Sequence, residues 1–111
     1  MTHVAIPVDI YESPREIVII MPLGGVQKKS IELYFDDFQL VIKGKRTLPK
    51  LKEDLVRQQD ECYRWDFEQT IALPPHVYFD RIHSAVSTEN VLTITVPKSL
   101  QPGKMKLDVK I

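Results

Sequence analysis

The sequence predicts an all-β fold, an antiparallel β-sandwich of about seven short strands. Three observations carry that expectation. Valine, isoleucine, threonine and aromatic residues gather in short runs of alternating polarity. Proline, glycine or paired charges separate one run from the next. The chain has 111 residues, 43% of them hydrophobic, enough for one domain whose core needs no disulfide staples.

Each element follows in order. "VAIPVDIYE" reads as a weak strand that Pro7 confines to a sheet edge or an irregular start. "EIVIIMPL" is apolar on both faces, as a central strand is. "LGGVQKKS" is a turn, its glycines supplying conformations that other residues resist. In "SIELYF", Ile31, Leu33 and Phe35 share one face while Glu32 and Tyr34 take the other. Asp36 and Asp37 break that strand, and "FQLVIKGKR" resumes with Leu40 and Ile42 alternating against Val41 and Lys43. From Trp65 to Leu73 the odd positions read Trp, Phe, Gln, Ile, Leu, and "LPP" ends the run. "RIHSAVS" and "VLTITV" complete the set.

One segment departs from the strand pattern. Across Thr47–Glu61, Leu48, Leu51, Leu55 and Val56 fall at spacings that suit a short amphipathic helix, with Pro49 near its start. The competing reading is a long excursion with its own strand near Asp54–Gln58. Connections of that length in a small sandwich usually serve a purpose.

Composition excludes several function classes. Fifteen basic and fifteen acidic residues cancel, so nothing favours nucleic acid or an anionic membrane, which need accumulated positive charge. Near-zero net charge also leaves copies of the chain with little mutual repulsion. The lone Cys62 forbids an intrachain disulfide and points to a reducing compartment. The start lacks a signal-peptide pattern, and the apolar run from Ile17 to Leu23 is far too short to span a bilayer. The expected location is the cytoplasm.

No catalytic, metal or cofactor site is expected. His3, His76, His83 and Cys62 are scattered without ligand spacing. Gly24 and Gly25 precede a strand, whereas a phosphate-cradling loop precedes a helix. The Asp36–Asp37 pair reads as solvated turn residues. Cys62 lacks a histidine at recognisable spacing and reads as an inert thiol.

Five fragments in sequence order resemble the alpha-crystallin domain of small heat-shock proteins, from about Ile6 to Lys98. "PVDIYES" looks like the family's opening strand. "LGGVQKKSIEL" is similar to its L-P-G-V turn and following strand. "LVIKGKR" resembles the strand that ends at glycine and a basic residue, and "FEQTIALP" the family's F-x-R-x-F-x-L-P. "AVSTENVLTITVPK" resembles its A-x-x-x-x-G-V-L-x-[IV]-x-[VL]-P-K signature. Three positions depart: Gly24 replaces a proline, Gln69 an arginine, and Asn90 a glycine. Asn90 tolerates the left-handed backbone better than most residues.

The resemblance implies an immunoglobulin-like sandwich of about seven to eight strands, spanning residues 1–98. It also implies an ATP-independent holdase that binds unfolding clients and prevents their aggregation. In bacterial, archaeal and plant relatives the loop corresponding to 47–63 carries a strand exchanged with a partner subunit. By that likeness Leu51, Leu55 and Val56 contact the partner in a homodimer, and exchange displaces the helix reading. Residues 99–111 would be a C-terminal extension whose Val109-Lys110-Ile111 matches the family's I-x-I or I-x-V docking motif. Its groove is implied between Ile31 and Leu33 on one wall and Ile82, Ser84 and Val86 on the other. A one-residue slip would substitute His83 and Ala85. Each buried aliphatic side chain contributes roughly 1.5–3 kcal/mol before the entropy of ordering the tail is subtracted. A single contact is therefore reversible, and several together hold a larger homo-oligomer. The plainer alternative makes "KLDVKI" a last strand of the sandwich or a frayed end.

Family members usually carry a long N-terminal arm, and here only a few residues precede the first strand. An excised domain, or a short member forming dimers and small assemblies, fits that start, with weak holding activity in either case. Two rival functions remain: a CS-domain-like co-chaperone or adaptor, and an assembly component without holding activity.

Overall fold

The computed structural model describes residues 6–62, 66–99 and 107–111. Within them the strands are β1 (Asp9–Glu12), β2 (Glu16–Pro22), β3 (Glu32–Asp36), β4 (Gln39–Gly44), β5 (Phe67–Ala72), β6 (His83–Val86) and β7 (Val91–Pro97). They form two antiparallel sheets, ordered β1-β2-β7-β6 and β3-β4-β5. Alternation in the sequence becomes alternation in burial. Ile17, Ile19 and Met21 of β2, Leu40 and Ile42 of β4, Phe67 and Ile71 of β5, and Leu92, Ile94 and Val96 of β7 fill the space between the sheets. The strand that reads as central, β2, does lie between β1 and β7, and its other face, Val18 and Ile20, is half-buried.

Turn chemistry sets where each strand ends. Asp37 and Phe38 both have positive φ, 48° and 58°. They make the two-residue turn joining Asp36 to its cross-strand partner Gln39. Gly25, at φ 78°, supplies the left-handed step after Leu23. Gly44 has a different reason: a Cβ there would lie 2.3 Å from Phe67 Cε1, so only glycine lets β4 end against that buried ring.

Several boundaries move. The first strand is confined to Asp9–Glu12, and the strand expected from Trp65 begins at Phe67. Val4, Ala5, Tyr63 and Trp65 lie outside the described residues. The amphipathic helix suggested by the spacing of Leu48, Leu51, Leu55 and Val56 does not form. A helix this short depends on packing its apolar stripe, and those four side chains are exposed. No strand forms between Thr47 and Cys62 either. No helix among the described residues is long and apolar enough to cross a membrane.

Candidate functional site

Each sheet has two edges, so the sandwich has two seams, and they are finished differently. At the β1–β5 seam, Ile6 is buried and its backbone N–H donates to Gln69 Oε1 at 3.3 Å. Gln69 alternates with buried Phe67 and Ile71 on β5, so a polar side chain on the inward face is satisfied by the chain that covers it. The N-terminal segment thereby closes this side of the core.

The β3–β6 seam is open. Leu33 and Phe35 sit opposite the buried Ile42 and Leu40, while Ser84 and Val86 sit opposite the buried Ile94 and Leu92. Directly paired residues share a face, so these positions look inward. Ile31, Leu33, Phe35, Ile82 and Val86 pack against the core yet remain only half-buried, and Ser84 is exposed. His83 and Ala85 occupy the outer face and are exposed. Two sheet edges thus present an apolar trough of half-buried side chains, with the exposed Ser84 between Ile82 and Val86.

Two contacts define the ends of the trough. At one end the ring of Phe35 stacks on Phe79 with centroids 5.3 Å apart, and Phe38 meets Phe35 edge-on at 6.0 Å. Phe79 belongs to the 3-10 turn Phe79–Arg81 that leads into β6. At the other end, the turn between β6 and β7 is tied to the segment before β3. Asn90, at φ 64°, donates from Nδ2 to the carbonyls of Leu23 and Val26. β3 and β6 therefore run in opposite directions. Phe35 lies toward the start of β6, and Ile31 toward its end.

Charge is uneven along the rim. On the outer face of β3, the Tyr34 hydroxyl donates to the Glu32 carboxylate, which pushes the Tyr34 phenol above its usual pKa. Near the Val86 end, Glu89 is held below the ordinary carboxylate range. Its own backbone N–H is the first cause, followed by the Thr88 and Ser87 hydroxyls and, more weakly, the Lys28 charge.

Other residues read as functional from the sequence stand apart from the trough. Leu51, Leu55 and Val56 are exposed on the 47–62 excursion, where with Leu48 they surround about 610 Å³. Cys62 is exposed at the rim of the same cup. Val109 and Ile111 are 85% and 119% exposed, so neither lies in the chain's own core. Among the described residues no group of three or more His, Cys, Asp or Glu side chains could hold a metal.

Sequence reasoning missed three features. Phe79 lies in a connector between strands, and its partner Phe35 is remote in the chain, so no local pattern announces the stack. The sequence marks Asn90 only for its backbone tolerance, although its amide also clamps the segment Leu23–Val26 before β3. Lys98 is buried, and its ammonium pairs with the exposed Glu12 carboxylate, joining the end of β7 to the end of β1. That hydrogen bond, then the Lys98 charge, holds the Glu12 carboxyl below its ordinary pKa, with a smaller contribution from His76.

Comparison with known proteins gives one answer. The model of the Hsp20/alpha crystallin family matches residues 9–111. A probable 15 kDa heat shock protein of Leptospira interrogans is 32% identical over 103 residues, 93% of this chain and 76% of that protein. The 17.9 kDa class II heat shock protein of Helianthus annuus is 34% identical over 92% of this chain but only 64% of its own length. Among solved structures, a small heat-shock protein from Xylella fastidiosa, described as having a distinct high order structure, superposes with a TM-score of 0.77. It is 26% identical, and the match covers 99% of this chain and 100% of that one. Heat shock protein 16.0 from Schizosaccharomyces pombe has a TM-score of 0.78 at 23% identity, with 97% and 100% coverage, and supports the fold.

Proposed function

This chain belongs to the Hsp20/alpha crystallin family, and from that premise we propose that it is an ATP-independent holdase that captures unfolding proteins and assembles through dimers and tail-in-groove contacts. The open β3–β6 seam carries this reading. A sandwich that closes one seam with Ile6 and leaves the other half-covered offers apolar side chains and free strand edges together. Unfolding chains expose the complementary surfaces, and burial of apolar area drives their capture without nucleotide chemistry.

Val109 and Ile111 are the tail anchors in this reading, and Ile31, Leu33, Ile82, Ser84 and Val86 line the groove that receives them on another copy. In an extended segment the two anchors point one way and Lys110 the other. The excursion through Leu51, Leu55 and Val56 supplies the dimer contact. Its apolar side chains are exposed in the single chain, which is where a strand exchanged with a partner would leave them. A strand needs a hydrogen-bonding neighbour, so its absence from one chain agrees with pairing across two.

The test is suppression of aggregation. An aggregation-prone client is heated with and without the protein at equimolar ratio, and light scattering is followed. Suppression without added ATP is the expected result. Unchanged scattering, with assembly intact, would leave a subunit that builds assemblies without holding clients.

A further inference from the structure

The β1–β5 seam is closed by a short cover that thins along its length. Among the described residues β1 and β5 are the outermost strands of their sheets, so each turns one ladder edge toward this seam. Residues 6–8 belong to no ladder: the pairing of β1 with β2 begins at Asp9, and Pro7 has no N–H to give. Among the described residues one hydrogen bond holds the cover, from the Ile6 N–H to Gln69 Oε1. Two side chains add to it, Ile6 at 5% exposed and Val8 half-buried against the core. Ile10, the next residue of that parity, faces inward opposite the buried Ile19 yet is 51% exposed.

Such a cover is closely balanced. Closure orders three residues in return for one buried aliphatic side chain, one half-buried one and a hydrogen bond between neutral groups. These opposing contributions are of similar size. The conformational part grows with temperature, so warming lifts the cover below the temperature at which the sandwich unfolds. Lifting it bares Gln69 between Phe67 and Ile71, the inward residues of β5, and joins them to Ile10.

The segment that now fills the seam shows what fits it: an extended stretch with aliphatic side chains two residues apart and a backbone N–H for Gln69. An unfolding protein supplies such stretches from its own disrupted strands. Where Pro7 has no N–H, an incoming stretch has one, so it can pair with the edge of β5 as residues 6–8 do not.

We propose that the β1–β5 seam is a second capture site, covered by residues 6–8 until an extended aliphatic segment of an unfolding protein displaces them and donates a backbone N–H to Gln69 Oε1. This rests on the holdase reading above and adds to it a site, a partner chemistry and a heat-dependent cover.

A photo-cross-linking residue placed at Ile10 in the full chain tests the site. The same residue at Thr70, exposed on the outer face of β5, is the control. The insulin B chain, released by reduction, serves as the client; it is unfolded at every temperature used, so warming acts on this chain and not on the client. Cross-links from Ile10 to the B chain that exceed those from Thr70, and that increase on warming below the melting temperature, support the proposal. Equal yields at the two positions, or a yield at Ile10 that does not change on warming, overturn it. Cross-links from Ile10 to a second copy alone overturn the assignment to a client.

Ile6→Ala loosens the cover and should speed hydrogen exchange at the amide of residue 6 roughly tenfold. It should also raise the Ile10 yield at the lowest temperature. Exchange as slow as the parent's overturns the cover, and faster exchange with an unchanged yield overturns capture beneath it. Should Ile6→Ala fail to fold, the parent's temperature series decides. A parent that neither suppresses aggregation nor cross-links the B chain fails the holdase reading itself, whereas suppression without Ile10 cross-links overturns the second site alone.

Discussion

The ring of Phe35 lies over that of Phe79, 5.3 Å between centroids and 12° between planes, so the free edge of one sheet is tied to the turn that starts the free edge of the other. The stack shuts one end of the open seam without covering its length. Phe38, fixed at positive φ in a two-residue turn, adds a third ring edge-on to the first. Left-handed backbone costs about 1–2 kcal/mol for a residue with a Cβ, and here it sets an aromatic side chain at the mouth of the trough.

Phe79→Ala is expected to cost little stability, on the order of 0.5–1.5 kcal/mol for the lost ring pair, because Phe79 is mostly exposed. Its larger effect should be on assembly and client holding. Thermal denaturation beside light scattering checks this. A large stability loss with unchanged assembly would make the stack a fold element alone.

Asn90 should be harder to replace. Asn90→Ala loses two side-chain hydrogen bonds and puts a Cβ-bearing residue without a local partner at φ 64°. Together these come to about 2–3 kcal/mol. Asn90→Gly keeps the backbone at ease and loses only the clamp, so it should cost less. Urea denaturation of both variants gives the order.

Gly44→Ala should destabilise by roughly 1–3 kcal/mol through overpacking. The new methyl would meet Phe67 on a fully buried ring and Val26 Cγ1 at 3.0 Å. A melting temperature equal to that of the parent would show that Phe67 has room to turn.

Glu12 makes stability depend on acid. Its pKa is lowered in the folded state by Lys98, so the stabilisation is present above the unfolded value, near 4.3. It is lost as pH falls through the folded value. Glu12→Gln should therefore melt lower than the parent at neutral pH, and the two curves should converge below about pH 4. Parallel curves across that range would assign the pair no role in stability.

Deleting Pro49–Arg57 removes Leu51, Leu55 and Val56 while sparing β4 and β5. If the excursion is exchanged between subunits, the shortened chain should be monomeric in sedimentation at concentrations where the parent is dimeric. A persisting dimer would place the interface elsewhere.

Strand positions were legible because a half-buried strand writes its environment into every second residue, as in Leu92, Ile94 and Val96. The parity of β3 was legible for the same reason, whereas that of β6 stayed open by one residue until its pairing with β7 set Ser84 and Val86 opposite the buried Ile94 and Leu92. The excursion misled, because leucine spacing alone cannot say whether a surface exists to bury the leucines. Local patterns carry no information about contacts between distant segments: the Phe35–Phe79 stack, the Asn90 clamp and the Lys98–Glu12 pair each join residues far apart in the chain.

The sequence by itself determined an antiparallel β-sandwich, the inward residues of its strands and its likeness to one family. It did so because alternation and turn residues act over a few positions. Only the tertiary structure decided which seam is closed and which is open. That outcome depends on Ile6 reaching Gln69 across the sandwich while no segment among the described residues covers β3 and β6, and coverage is a property of chain paths in space.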